Sequence, residues 1–210
     1  MLTEIACYNQ DSTYADILET IFIASEKNVD SIAIPSGFMG RVSEFLEHQK
    51  FSVAIDFPYG LASTQVRLHE IILAIRQGAS FIDLVINNSY VKEENWRKIR
   101  EDLKSCITAC KQNNVELRAI IEYRLFPVKT VLLMCELLSI NGISNIVNAT
   151  GSVADDLSEN ALISYEMQTK TGVFVTSCVR GFDKKYHDIF KELDIYCLRL
   201  MSSKNAKHLL

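Results

Sequence analysis

Short runs of apolar, β-branched residues alternate along the whole chain with longer stretches in which apolar residues recur at helical spacing. The short runs predict strands that are buried on both faces. They are Thr3–Cys7, Ser31–Pro35, Ser52–Phe57, Phe81–Ile86, Glu116–Ile121, Asn145–Asn148, Val173–Ser177 and Ile195–Leu200. The longer stretches predict helices. They are Tyr14–Lys27, Phe38–Gln49, Ser63–Gln77, Glu93–Gln112, Pro127–Ile140, Ser158–Lys170 and Lys184–Leu193, and the tail Ser202–Leu210 adds a turn or two.

Strict alternation of strands and helices predicts one α/β domain over residues 1–210, a single parallel (β/α)8 barrel. An open, doubly wound sheet is the alternative, but eight evenly spaced strands favour closure. Asp11 and Ser12 are candidates to cap the first helix, and Ser63 to cap the third. In such a barrel the chemistry lies where the strands end, so polar residues at those ends are the candidates for function.

Composition narrows the class of protein. Apolar residues make up 48% of the chain and charged residues 23%, which is typical of a globular domain. A net charge of -4 with a pI of about 5.6 argues against a nucleic-acid partner. We find no run long enough to span a membrane and no secretory signal, and therefore expect a cytoplasmic protein. The six cysteines are expected to be free and mostly buried.

The segment Phe57–Asn87 is similar to the signature region of deoxyribose-phosphate aldolases. That family's pattern combines FP-x-G, a Thr and a basic residue with A-I-x-x-G-A-x-x-I-D-x-V-I-N. The matching positions are Phe57, Pro58, Gly60, Thr64, Arg67, Glu70, Ala74, Ile75, Gly78, Ala79, Ile82, Asp83, Val85, Ile86 and Asn87. Looser matches occur at Gln10–Ile17, Leu117–Phe126, Asn148–Gly151 and Leu200–Ser203. The resemblance implies a carbon–carbon lyase without a cofactor, acting on a small phosphorylated sugar or aldehyde, in a homo-oligomer such as a homodimer.

The resemblance also implies a mechanism. A lysine on the sixth strand forms a Schiff base with the aldehyde, and a lysine on the seventh lowers its pKa by like-charge repulsion. A carboxylate on the fourth strand relays protons, and Asp83 falls on its position. A carboxylate within an apolar strand is costly to bury unless it is paired or functional. Asp83 is therefore the candidate catalytic residue, with a purely structural aspartate as the alternative.

Both lysines are missing at the positions that the resemblance assigns to them. Aligning Thr150 and Gly151 with the family's Thr-Gly places Val147 at the Schiff-base position, and Thr176 stands at the position of the second lysine. None of the eight predicted strands contains a lysine. The standard Schiff-base reaction therefore requires a lysine from a loop or helix, such as Lys129 or Lys184.

The phosphate-binding region that the resemblance implies is also altered. Val179 and Arg180 replace a double glycine whose backbone N–H groups would approach the phosphate. An arginine can take over that role as a charged donor. The candidate phosphate- or substrate-binding residues are Thr150, Gly151, Ser177, Arg180, Gly181, Ser202 and Ser203. The alternatives are a solvated loop arginine for Arg180 and simple helix caps for the two serines at 202 and 203.

Three hypotheses for the function follow. The first is a lyase with an altered mechanism. The second is a barrel that binds a phosphorylated ligand or a partner without turnover. The third is a metal-dependent enzyme in which Asp56, Asp83 and Glu122 converge on magnesium or manganese, although we assign no metal ligands. Cys178 as a nucleophile lacks a histidine on any strand end, and a buried thiol is the simpler interpretation.

Overall fold

Eight parallel strands close into a barrel in chain order in the computed structural model, which describes residues 1–42, 45, 49–153, 156–181 and 184–207. This confirms the predicted (β/α)8 barrel. The strands are β1 (Leu2–Ala6), β2 (Ser31–Pro35), β3 (Lys50–Ile55), β4 (Phe81–Val85), β5 (Glu116–Ile120), β6 (Asn145–Val147), β7 (Phe174–Val179) and β8 (Cys197–Leu200).

Helices follow the strands around the outside of the barrel. They are α1 (Tyr14–Glu26), α2 (Met39–Val42), α3 (Thr64–Arg76), α4 (Asn88–Lys92), α5 (Trp96–Gln112), α6 (Val128–Ile140), α7 (Leu157–Thr171), α8 (Lys184–Glu192) and α9 (Ser203–Lys207). Of the predicted helix Phe38–Gln49, residues 43, 44 and 46–48 lie outside the described ranges, as do residues 208–210 of the tail. Across the described ranges, no helix combines the length and apolarity that crossing a bilayer requires.

The predicted start of α1 at Tyr14 is confirmed, whereas the side-chain caps predicted for α1 and α3 are not. Thr13, not Asp11 or Ser12, caps α1: its hydroxyl accepts from the Asp16 N–H, and its own N–H donates to the Asp16 carboxylate at 2.7 Å. Ser63 occupies the N-cap position of α3 but makes no side-chain cap bond.

The helix predicted over Glu93–Gln112 begins three residues later, and a further short helix lies before it. The short helix α4 precedes it, with Asn87 as its side-chain cap, and α5 begins only after Asn95.

The strand register decides which side chains point into the barrel, because cross-strand neighbours share a face and successive residues alternate. Asp83 pairs with Ala54 and Arg118, while Glu4 pairs with Arg199. These positions face inwards, where the charged side chains meet each other across the barrel. Small residues such as Ala54 on the first three strands leave room for the long arginines.

One lysine does lie on a strand, in contrast to the prediction that no strand carries one. The strand β3 begins two residues earlier than predicted, at Lys50. Lys50 pairs with Ser31 at the amino ends of the strands. It therefore lies at the end of the barrel opposite the mouth formed by the carboxyl ends.

Candidate functional site

Four charged side chains form a closed ring of ion pairs inside the barrel: Glu4, Asp83, Arg118 and Arg199, which we call the central cluster. Arg118 donates through Nε to Asp83 Oδ1 at 2.6 Å and through Nη2 to Glu4 Oε2 at 3.0 Å. Arg199 donates through Nη2 to Asp83 Oδ2 at 2.5 Å and through Nε to Glu4 Oε1. The Ser31 hydroxyl donates to Glu4 Oε2 at 2.7 Å. Two carboxylates and two guanidinium groups thus balance each other.

Asp83 is completely buried and held as a carboxylate. Burial alone raises its pKa, but the charges of Arg118 and Arg199 and their hydrogen bonds outweigh that effect, and the pKa of Asp83 falls below its ordinary value. A proton relay needs a group that exchanges protons near the working pH. Because both oxygens of Asp83 already accept from guanidinium groups, this geometry suits a structural anion better than the predicted relay.

The positions at which the resemblance requires lysines do face the barrel interior. Val147 pairs with Ile120 on β5 and with Thr176 on β7, and both Val147 and Thr176 are completely buried. The inward-facing positions therefore carry an alkyl group and a hydroxyl. Neither can form a Schiff base, and neither adds a positive charge beside the central cluster.

The other lysines considered do not reach the central cluster. Lys129 lies on α6 and Lys184 on α8, and both are exposed. The groups that contact Asp83 are guanidinium groups, which remain charged and are not nucleophilic amines.

A cavity of about 550 Å³ opens at the mouth of the barrel, above the carboxyl ends of the first three strands. We call it the mouth cavity, and in the described ranges its lining contains no lysine. It is lined by Tyr8, Asn9, Gln10, Asp11, Pro35, Ser36, Ala54, Phe57, Pro58, Glu70, Ser152 and Arg180. A larger cavity of about 790 Å³ lies at the amino ends of the strands. We place the candidate site at the mouth, because function in such barrels sits at the carboxyl ends of the strands.

Arg180 is the predicted phosphate-binding residue that the structure places on the mouth cavity. It follows β7, and its Nε donates to the backbone oxygen of Gly151. Gly151 has a φ of +73°, and a Cβ there would lie 2.8 Å from Met201 Cε. Glycine is thus required at this turn, which presents its carbonyl oxygen to Arg180.

The other predicted binding residues are dispersed. Thr150 is buried and donates its hydroxyl to Glu122 Oε2 at 2.7 Å. Ser177 points outwards, away from the mouth cavity, and donates to Ser164 Oγ on α7 at 2.7 Å. Gly181 follows Arg180 in an exposed turn.

The two serines after β8 belong to the start of a short helix. The Ser202 hydroxyl accepts from the N–H of Lys204 at 3.1 Å, and Ser203 begins α9. This matches the role of a simple helix cap, which was the alternative to phosphate binding for these two residues.

A second buried arginine network lies outside the barrel wall, beneath the loop that joins β3 to α3. Arg67 is completely buried and donates through Nε to Asp56 Oδ2 at 2.7 Å, through Nη1 to Asp102 on α5 and through Nη2 to the Gly60 carbonyl. The Thr64 hydroxyl donates to Asp102 at 2.5 Å. We call Asp56, Gly60, Arg67 and Asp102 the loop cluster. It holds the signature loop in place and makes no contact with the central cluster in the bonds described.

The carboxylates considered as metal ligands do not converge. Asp56 belongs to the loop cluster and Asp83 to the central cluster, while Glu122 accepts from Thr150 and from Arg124 Nη1 at 3.0 Å. Each therefore has its own cationic partner. Over the ranges the structure describes, no group of three or more metal-binding side chains comes together.

The six cysteines are free and buried, as predicted. Burial raises the pKa of the Cys106 thiol to about 11 and that of Cys197 to about 12. Thiols in this state are poor nucleophiles at neutral pH.

Sequence reasoning singled out Asp83 but passed over two other members of the central cluster. Glu4 and Arg118 interrupt apolar strands in the same way as Asp83 does, as charged residues flanked by apolar ones. The argument that such a residue must be paired or functional applies equally to them. Applied to every strand, it would have identified all four members of the central cluster, since Arg199 interrupts β8 in the same manner.

Comparison with known proteins adds an independent line of evidence. The family model described as DeoC/LacD family aldolase matches residues 3–130. A deoxyribose-phosphate aldolase from Mycoplasmopsis pulmonis is 30% identical over 194 residues, which cover 91% of this chain and 86% of that protein. Another from Histophilus somni is 28% identical over 143 residues, or 67% of this chain but only 63% of that enzyme's length.

A solved structure shows the same fold. The deoxyribose phosphate aldolase from Aeropyrum pernix, which is a tetramer, superimposes with a TM-score of 0.86 at 16% identity. The superposition covers 98% of this chain and 88% of that one.

Proposed function

This chain belongs to the DeoC/LacD aldolase family, and we propose that it binds a small phosphorylated sugar or aldehyde in the mouth cavity without forming a Schiff base. It would thus retain the family's fold and ligand class but not the standard reaction. The proposal concerns the chemistry of the site, because family membership alone does not fix what a barrel does.

The observation that carries the proposal is the composition of the barrel interior. Val147 and Thr176 occupy the inward-facing positions where the resemblance requires lysines. Asp83, the expected proton relay, is bound by two guanidinium groups instead of standing next to an amine. Nucleophile, activating charge and proton relay are therefore altered together.

The ligand class rests on the mouth cavity. Its volume suits a small molecule, and Arg180 lines it as a cation able to bind a phosphate through a planar pair of N–H groups. Ser152 lies on the same lining next to Gly151 and adds a hydroxyl, while its backbone N–H already donates to Thr150 Oγ1 at 3.1 Å. These groups support binding of an anionic ligand.

Two measurements on the full chain test the proposal. Isothermal titration calorimetry should detect binding of deoxyribose 5-phosphate, and borohydride reduction in its presence should leave the intact mass unchanged. The Mycoplasmopsis pulmonis relative is the positive control for cleavage and for trapping. A reduced adduct, or cleavage at a rate comparable with that of the relative, would overturn the proposed loss of the Schiff-base reaction. Absence of any binding would overturn the proposed ligand.

The variant Arg180→Leu tests how much the proposed contact with the phosphate contributes to the affinity for the ligand. Its affinity for deoxyribose 5-phosphate should fall at least tenfold, because a charge-assisted hydrogen bond contributes about 1.5–3 kcal/mol. Arg97→Leu is a matched control, since Arg97 is 77% exposed on α5 and is not part of the mouth cavity.

We also propose that the protein forms a homo-oligomer in the cytoplasm. The tetrameric relative from Aeropyrum pernix supports this, and so do large apolar side chains left exposed on α6 and α7, among them Ile140 at 86% and Leu162 at 62%. Light scattering coupled to size-exclusion chromatography should then give a mass of two or more times the 23.8 kDa of one chain.

A further inference from the structure

We propose that the Tyr8 hydroxyl is a ligand-binding group that donates a hydrogen bond to an uncharged oxygen, a carbonyl or a hydroxyl, of the molecule in the mouth cavity. This inference rests on the proposed function and names the group that holds the end of the ligand remote from the phosphate.

Tyr8 is positioned to reach from the rim of the barrel into its interior. It follows β1 directly and lines the mouth cavity. Its ring packs against that of Phe57, which follows β3, with 4.7 Å between the ring centroids. The aromatic contact fixes the ring, so the direction of the hydroxyl is set by the fold.

The hydroxyl of Tyr8 is buried and has no hydrogen-bond partner among the described residues. A buried hydroxyl without a partner destabilises a protein, and a phenylalanine of the same shape would avoid that cost. The tyrosine is therefore explained if its partner comes from outside the chain. A ligand that enters the mouth cavity, which Tyr8 borders, would supply that partner.

The protonation state of Tyr8 fixes what kind of group it can bind. Burial, followed by the negative charge of Asp83, raises the pKa of Tyr8 far above its ordinary value, although Arg199 partly opposes this. The hydroxyl is thus a neutral phenol with its proton available to donate at any physiological pH.

The charge around the inner end of the mouth cavity argues that the accepting oxygen is uncharged. The central cluster beneath Tyr8 contains two carboxylates and two guanidinium groups, which already pair with each other. That end of the cavity therefore offers no unbalanced positive charge to an anion. Arg180 adds a guanidinium group to the rim of the same cavity, and so the phosphate and the uncharged oxygen are assigned to opposite ends of the ligand.

The experiment compares Tyr8→Phe with the wild-type chain by calorimetry, using deoxyribose 5-phosphate and inorganic phosphate as probes. We expect the affinity for deoxyribose 5-phosphate to fall by about five- to tenfold, as for the loss of one hydrogen bond, and that for phosphate to be unchanged. Tyr59→Phe is the matched control, because Tyr59 is 69% exposed beside the mouth and should alter neither affinity.

Thermal unfolding without ligand supplies a second readout that does not depend on binding. The Tm of Tyr8→Phe should equal or exceed that of the wild type, because the hydroxyl makes no hydrogen bond to the part of the chain that the structure describes. A lower Tm would show that the hydroxyl is structural, and equal affinity of both proteins for deoxyribose 5-phosphate would show that it does not touch the ligand. Either result overturns the inference about Tyr8 while wild-type binding still upholds the proposed function. No binding by the wild type would overturn both.

Discussion

The chain contains two buried arginine networks that look alike and differ in what surrounds them. In the central cluster Glu4 and Asp83 have fully buried side chains and meet two arginines inside the barrel. In the loop cluster a single arginine, Arg67, serves Asp56 and Asp102, whose side chains are 11% and 10% exposed. The first network depends entirely on its internal pairing, whereas water can reach the second.

The difference shows which residues of the family signature hold the loop and which one lies inside the barrel. The loop cluster contributes Gly60 and Arg67 to the matched signature, and the matched Thr64 donates to Asp102 of the cluster; all three serve to hold the loop. Asp83 is a charged matched residue that lies inside the barrel, and here it pairs with arginines. A strong match over this region therefore supports the fold, while the positions at which the resemblance requires lysines fall on β6 and β7, outside the matched segment.

The comparison can be tested most directly by removing one arginine from each network. Arg118→Met should lower the free energy of unfolding by about 3–5 kcal/mol, because it leaves buried carboxylates under-paired. Arg67→Met should cost less, since Asp56 and Asp102 can hydrate. Urea unfolding measures both. Arg97→Met, on the exposed face of α5, is the control and should change stability by less than about 0.5 kcal/mol. An equal or larger loss for Arg67→Met would show that burial of the carboxylates is not what distinguishes the two networks.

A substitution at Gly60, whose carbonyl accepts from Arg67, tests the loop cluster through the backbone of the loop. Gly60 has a φ of +68°, and a Cβ there would lie 2.6 Å from the backbone oxygen of Ile86. Gly60→Ala should therefore cost roughly 1–3 kcal/mol in unfolding free energy from backbone strain, with the clash added to it. Gly37→Ala, whose Cβ would meet nothing within 4 Å, should be nearly neutral. A stable Gly60→Ala variant would mean that the loop can move without loss to the Arg67 network.

Acid provides a test specific to the central cluster. The pKa of Asp83 is lower in the folded protein than its ordinary value of 3.8, so the unfolded chain takes up this proton first. The stability that Asp83 contributes is present above pH 3.8 and is lost as the pH falls through the folded-state pKa. Carbon-13 NMR of the Asp83 carboxyl should give a titration midpoint below pH 3.8. A midpoint above that value would contradict its pairing with two guanidinium groups.

The smallest expected effects come from removing one hydroxyl donor from each network. Ser31→Ala removes a bond to the fully buried Glu4, and Thr64→Val removes one to the partly exposed Asp102. Hydrogen bonds to charged groups contribute about 1.5–3 kcal/mol, so the Ser31 variant should lose stability within that range and the Thr64 variant less. Urea unfolding measures both losses. Equal losses would show that the central cluster and the loop cluster do not differ in their dependence on burial.

Much of the fold could be predicted from the sequence, because strands buried on both faces are continuous apolar runs that stand out between amphipathic helices. The same property hides which residues point inwards. Along β7 polar and apolar residues do not alternate, so the sequence does not show which of Thr176 and Ser177 points inwards. The strand register places Thr176 inside the barrel, and the bond to Ser164 places Ser177 against α7.

The site could be predicted in part. Asp83 stood out as a charge within an apolar strand, and Arg180 as a cation at a strand end. The identity of the partners of Asp83 depends on contacts between β1, β4, β5 and β8, which no local pattern encodes. The Tyr8 hydroxyl, which has no partner among the residues described, likewise emerges only from packing, since the neighbouring ring of Phe57 is far away in sequence.

The ring of charges also has a consequence for how the chain folds. Glu4 and Arg199 are 195 residues apart, and their ion pair forms only when the first and last strands meet. In an intermediate that lacks the first and last strands, Asp83 and Arg118 would be partly dehydrated without their other ion-pair partners, Arg199 and Glu4. Such half-closed forms are therefore penalised, and the ring favours cooperative, all-or-none closure over gradual addition of βα units.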